Sequence, residues 1–398
     1  MEKTQNYIIL QNGYTLSYDE TQCYENDKEY QSNDSDKREP NEIIKELKHK
    51  FYNAFFKKHF RNLIFLTAAG TSLNNGENSG KTREDLWNEC KDEISSLEKK
   101  DKNVSSKPFF IEKDIEGLLS YIILYEKIHG DLIINKNELL KAKIEKKISE
   151  TCKLVLSETA PHKEFLNKIT ARKPSEPRIK LFTTNYDTLF EQAANEAGFI
   201  IIDGFSYTQP RRFSGRYFDI DIVNREKTRI KQEESFLSKV FHLYKLHGSV
   251  NWTKENNTIL LKENPTNPLI IYPASEKYES SYEQPYFEMM SRFQSSLRQE
   301  NTLLIVIGFG FKDKHIQNVI IEAVEQNPSF QLVIINYSNS NSIQTTNLES
   351  FFLNVDAMKV KRNVTIIFDN FSGFVDNYPS NLTYIEQQKD NNNESIQP

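Results

Sequence analysis

The stretch "IKLFTTNYDTLFEQAANEAGFIII", residues 179–202, decides how the chain is read. It opens with a short apolar run, "IKLF". A polar turn, "TTNYD", follows, then a helical segment, "TLFEQAANEAG", closed by Gly198, and finally a second apolar run, "FIII". Strand, turn, helix and strand in about two dozen residues is the unit from which parallel sheets are wound. The same alternation extends outward in both directions. Apolar or β-branched runs recur as "NLIFLT", "LYKLHG", "PLIIYP", "TLLIVIGFG", "FQLVIIN" and "VTIIF", with a second helical segment at "DKHIQNVIIEAVEQ". Several runs are continuous rather than alternating, as strands buried on both faces are. The expected fold class is α/β, a Rossmann-like doubly wound, mostly parallel sheet.

From about 84 to 176 the strand pattern stops, and charged helical sequence such as "LLKAKIEKKISETCKLVL" takes over, predicting a helical insertion after the first core strand. Residues 1–58 read as a flexible arm, with the composition of "ENDKEYQSNDSDKREPNE", followed by an amphipathic helix in "NEIIKELKHKFYNAFFKKHF". Ile44, Leu47, Phe51, Phe55 and Phe56 recur at helical spacing; core packing is the favoured role of that stripe, with a nucleic-acid face for its basic side as the alternative. The main domain is expected over 59–376, and 377–398 reads as a disordered tail.

The chain has 398 residues, a net charge of −5 and 37% hydrophobic residues, which gives no general attraction to nucleic acid and fits a globular protein. Three widely spaced cysteines, Cys23, Cys90 and Cys152, offer neither a disulfide framework nor a cysteine-based zinc module. No apolar run approaches membrane-spanning length, and the start "MEKTQNYIIL" lacks the basic end and long apolar run of a secretion signal, so a cytoplasmic location is expected.

"GENSGKT", residues 76–82, imitates a phosphate-binding P-loop. Only three residues separate Gly76 from Gly80 where the loop needs four, and "AAGTSLNN" intervenes after the strand. Thr82 to Asp85 reads instead as a capping box opening a helix.

Ligands of a doubly wound sheet bind at the carboxyl ends of its strands. The turn after "NLIFL" is "TAAGTS", whose small residues Ala69 and Gly70 and hydroxyls Thr71 and Ser72 could admit a diphosphate or simply make a turn. "TTNYD" carries Asn185 and Asp187, which could cap the following helix or present a carboxamide and a carboxylate to a ligand. "YKLHGSVNW" places His247 beside Gly248 at a strand end; a lone histidine is more often structural, but this position makes it a better candidate for a general base. "IVIGFGF" supplies Gly308, Phe309 and Gly310 before a helix that Asp313 could cap, without the third glycine of a dinucleotide fingerprint. "VIIN" ends in Asn336, suited to a ribose hydroxyl.

In their order along the chain, "TAAGTS", "TTNYD", "KLHGS", "GFGFKDKHI" and "VIIN" resemble the sirtuin-like NAD-consuming domains. More narrowly, "DGFSYTQPRRFSGRYFD", "YKLHGSVNW", "IIYPASEKY" and "GFGFKDKHI" resemble the sirtuin-like subunit of bacterial antiphage systems that pair with a HerA-type ATPase. The resemblance spans roughly residues 60–375 and implies NAD as substrate. It also implies a homo-oligomeric ring or stack, a hexameric HerA-type partner, and DNA contact, if any, through the complex. It places Ala69, Gly70, Thr71 and Ser72 by the diphosphate and nicotinamide ribose. Asn185 would hold the reacting ribose or the attacking water, Asp187 the nicotinamide carboxamide, and His247 would act as base or orient the ribose hydroxyls. Gly308, Phe309, Gly310 and Asn336 would border the adenosine half. Two departures stand out: Ala68 occupies the first glycine position of the family's Gly-Ala-Gly turn, and the four-cysteine zinc ribbon of the deacylases is missing. The second favours hydrolysis of NAD over deacylation, and no metal is expected. An NAD-responsive scaffold and a protein deacylase or ADP-ribosyltransferase are the competing readings.

Overall fold

The computed structural model describes residues 6–30, 38–134, 138–173, 175–224, 236–270, 284–337, 351–354 and 359–380. Its frame is one eleven-stranded sheet. Numbered along the chain within this sheet, the strands are β1 Asn6–Gln11, β2 Tyr14–Tyr18, β3 Cys23–Glu25, β4 Lys28–Glu29, β5 Asn62–Thr67, β6 Lys180–Thr183, β7 Ile200–Ile202, β8 Val240–Lys245, β9 Thr302–Ile307, β10 Phe330–Asn336 and β11 Val364–Phe368. The spatial order is β4-β3-β2-β1-β11-β10-β9-β5-β6-β8-β7. All seven strands from β11 to β7 run parallel. The expected α/β, mostly parallel architecture is therefore present.

Continuous apolar runs form the centre because both faces are covered. Every residue of β8 and β9 is buried. Phe65, Leu181, Leu243, Ile305 and Val333 point to one core, beneath helices Pro40–Phe56, His162–Thr170, Leu189–Glu196 and Phe371–Asn377. Ile64, Phe182, Tyr244, Leu304 and Leu332 point to the other, beneath Tyr286–Leu297 and Lys314–Gln326. In the first of these helices Ile44, Leu47, Phe55 and Phe56 are buried, so its apolar stripe packs on the sheet.

Residues 6–29 depart from the expectation of a flexible arm: they form an antiparallel meander that extends the sheet through pairing of β1 with β11. The local cause is legible. Asn12 and Gly13 are the two residues between β1 and β2, and Asn26 and Asp27, both at positive φ, are the two between β3 and β4. Such pairs make the tight turns that suit the twist of paired strands. Residues 31–37 and the tail from 381 lie outside the described residues, as does most of "IIYPASEKY". "PLIIYP" contributes only a bridge between Ile270 and Gly248 among the described residues.

The insertion is helical, with Arg83–Glu89, Lys91–Lys100, Ile115–His129 and Leu140–Thr151 enclosing their own core around Trp87, Leu97, Leu118 and Ile144. The helix His162–Thr170, placed in the insertion by composition, belongs instead to the sheet's first core through Phe165, Leu166 and Ile169. A two-strand hairpin of Ile133–Ile134 and Glu138–Leu139 interrupts the helical stretch.

Candidate functional site

Sheet register builds the site. Ile307 pairs with Thr67, Thr67 with Thr183, and Thr183 with Lys245, so β9, β5, β6 and β8 end level. The turns that leave them share one rim. β5 lies between β6 and β9, and at this crossing the winding reverses direction, which opens a crevice between neighbouring turns.

Two glycines make the crevice close-fitting. Gly70 N donates to Gly308 O at 3.2 Å, and a Cβ built on Gly70 would fall 2.5 Å from the Gly308 Cα. Gly308 also has φ +68°, a left-handed conformation that disfavours side chains. Ala68 differs. Its φ of −144° is open to any residue and its methyl is buried, so the backbone does not require the family's glycine there.

A cavity of about 360 Å³ opens above this crossing. The β-strand turns contribute Ala68, Ala69, Ser72, Asn185, Asp187, His247, Gly308, Phe309 and Gly310 to its wall. Gly70 and Thr71 stand in the turn behind the wall, and Asn336 ends β10 beyond β9 and does not line this cavity.

The polar groups form two connected sets. Asn185 Nδ2 donates toward Ala68 O at 3.0 Å, Thr71 Oγ1 at 3.1 Å and Ser72 Oγ at 2.8 Å. A backbone carbonyl only accepts, so the Ala68 contact fixes which end of the carboxamide is nitrogen and leaves Oδ1 as an acceptor. Ser72 Oγ passes the chain to Asp187 Oδ2 at 2.5 Å, and Asp187 Oδ1 accepts from Leu189 N at 3.1 Å. Thr188, not Asp187, is the N-cap of the helix Leu189–Glu196; Asp187 lies one residue ahead of it, binds the first helical N–H and lines the cavity.

The second set is His247 with Asp313. His247 Nε2 lies 3.0 Å from Asp313 Oδ2, while Oδ1 accepts from His315 N at 3.0 Å at the start of the helix Lys314–Gln326. An ionised carboxylate accepts from Nε2–H and leaves Nδ1 as the basic nitrogen. Asp313 was legible as a cap; its contact with the histidine needs the fold.

Gly80 and Lys81, just ahead of the insertion, and Leu86, Thr151, Cys152 and Leu154 within it also line the cavity, and none of them was pointed to by the motifs as a site residue. "GENSGKT" is no P-loop: Thr82 and Asp85 make the expected reciprocal cap. Its fold-back is held by Gly80 N donating to Ser72 O at 2.8 Å, which carries Lys81 to the cavity. Cys152 is held as a neutral thiol, pushed up to about 12 by burial and then by the nearby Asp187 charge.

Residues 180–355 match the family model of the SIR2-like domain. No curated protein matches the chain. SIR2-like domains are in general NAD-dependent enzymes, and the matched stretch is similar to them over less than half of the chain. The match contains Asn185, Asp187, His247, Gly308 and Gly310; β5 and its "AAGTS" turn lie outside the matched residues and sit between β6 and β9.

The groups present fit NAD. Lys81 and Lys312 bring positive charge to a cavity whose Gly308 and Gly310 expose backbone; a Cβ on Gly310 would meet no protein atom within 4 Å. Ser72, Asn185 and His247 offer partners for sugar hydroxyls and water. Among the described residues, no cluster of three or more His, Cys, Asp or Glu side chains could hold a metal, and no helix is long and apolar enough to cross a membrane.

Proposed function

We propose that the chain is an NAD glycohydrolase that cleaves NAD to nicotinamide and ADP-ribose. The observation that carries this reading is the convergence on one cavity of a pinned Asn185 carboxamide and a His247 imidazole backed by Asp313. The bond from ribose C1′ to the nicotinamide nitrogen breaks with its electron pair going to the ring, and water supplies the new C1′–O bond. Asn185 Oδ1 accepts from that water or from a ribose hydroxyl, and His247 takes the proton released as the water attacks. Positive charge developing on the sugar is favoured by the nearby Asp187 carboxylate.

The same reading makes the chain the effector of an antiphage complex with a HerA-type ATPase, supported by the motif resemblance. Nicotinamide and ADP-ribose release from NAD by the purified chain, with and without that ATPase, is the test, run beside Asn185→Ala and His247→Ala. Release that both substitutions abolish is expected. NAD that stays bound and intact under both conditions would replace the hydrolase with a binding scaffold.

A further inference from the structure

Lys245, the last residue of β8, is a lysine with only 2% of its surface exposed. An ammonium group in such a place is unfavourable unless all its donors find partners. Its Nζ donates to Asp187 O, reaches Tyr186 O at 3.5 Å and pairs with Glu191 Oε1 at 2.9 Å. The Tyr186 carbonyl receives two further donors from the same segment, Val250 N at 3.0 Å and Ser249 Oγ at 3.2 Å.

The need for this arrangement follows from the ladder. β6 and β8 pair as far as Thr183 and Lys245, and Leu246 N still donates to Thr183 O at 2.8 Å. Beyond that point the chains part, and the Tyr186 and Asp187 carbonyls have no strand opposite them. Buried backbone carbonyls need partners. Lysine can give three N–H bonds from one point, which a neutral apolar side chain of the same length cannot.

We infer that Lys245 is a positioning residue for the site. It holds the Asn185–Asp187 turn against the end of β8, two residues before His247 in the turn that follows, so that the carboxamide and the imidazole keep a fixed relation without Lys245 touching substrate. The inference rests on the hydrolase reading for its kinetic consequence, but the clamp itself is visible in geometry. Its effect should fall on kcat, because the turn after β9, with Gly308, Gly310 and Lys312, does not depend on it. A displacement of about 1 Å in such groups can cost on the order of 100-fold in rate.

The experiment compares Lys245→Met, Ser249→Ala and Glu191→Gln with the wild-type chain, in the complex that gives turnover. Expected for Lys245→Met is a folded protein with kcat lowered ~10- to 100-fold, KM within ~3-fold, and the Asn185–Ser72 contact broken in its crystal structure. Ser249→Ala and Glu191→Gln should show the same split with smaller losses, about 2- to 10-fold. A folded Lys245→Met with wild-type kcat and that contact intact overturns the proposal. Should Lys245→Met not fold, unchanged kcat in both other variants overturns it. Should the wild-type chain leave NAD intact, the hydrolase reading is lost. The clamp is then judged on whether the Asn185–Ser72 and Ser72–Asp187 contacts survive in the variants, and their survival overturns it.

Discussion

The carboxylate of Asp313 serves His247 with one oxygen and the first turn of the helix Lys314–Gln326 with the other. A helix cap and a histidine orienter are therefore one residue, and the two roles separate under substitution. Asparagine caps a helix about as well as aspartate but brings no negative charge, and its amide can donate to Nε2 and reverse the tautomer. Asp313→Asn should keep its melting temperature within a few degrees while lowering kcat for nicotinamide release by ~10²- to 10⁴-fold. Full activity in a folded variant would remove His247 as the base.

The Gly70–Gly308 crossing and Ala68 make opposite predictions within one motif. A methyl on either glycine would enter the other's backbone, so Gly70→Ala and Gly308→Ala should each destabilise the fold by ~1–3 kcal/mol and weaken NAD binding. Ala68→Gly relieves no strain, since Ala68 sits in extended backbone. NAD affinity measured by calorimetry should change less than about threefold in Ala68→Gly, under 1 kcal/mol. A large gain would mean that the methyl crowds the ligand.

Lys81 and Lys312 approach the cavity from the segment just ahead of the insertion and from the turn after β9. If they face the diphosphate, Lys81→Ala and Lys312→Ala should each raise KM for NAD several-fold, roughly 1 kcal/mol, with kcat little changed. The loss should shrink as salt is raised, because both side chains are exposed. ATP should remain unhydrolysed by the chain in the same assays, given the loop spacing at Gly76–Gly80. KM values insensitive to both substitutions would place the phosphates elsewhere.

What the sequence made legible was local. The βαβ alternation, the capping box at Thr82 and the strand-end placement of Asn185, Asp187 and His247 each depend on neighbours a few residues away. What it hid was tertiary. Lys81 reaches the cavity because Gly80 packs on Ser72, and Cys152 because the insertion returns past Asp187; neither relation has a spacing signature. Lys245 lay within the quoted "YKLHGSVNW", but only the parting of two strands explains a lysine there. The N-terminal meander is different, since Asn12–Gly13 was a readable turn masked by the polar composition around it.

His162 and His242 set an acid limit on stability. His162 is buried between Phe190 and Phe371, with ring centroids 5.0 and 5.1 Å away, and neither ring nitrogen has a hydrogen-bond partner among the described residues. Burial lowers it from 6.5 to about 3; burial first, and then the Lys180 charge, lower His242 from 6.5 to about 4. Both are neutral in the folded chain and bind a proton near pH 6.5 when unfolded. Their contribution is therefore complete above 6.5 and is lost as pH falls through the window down to 3–4, because the unfolded state takes up the protons. Between pH 6.5 and pH 5 each should cost about 2 kcal/mol. His162→Leu removes one titration and two unpartnered nitrogens while keeping the apolar packing. Denaturant midpoints at pH 7.5 and pH 5 should thus diverge less in His162→Leu than in the wild-type chain, with the variant the more stable of the two at pH 5. Equal pH dependence in both would show that His162 is protonated in the fold, and that its surroundings open more readily than their packing implies.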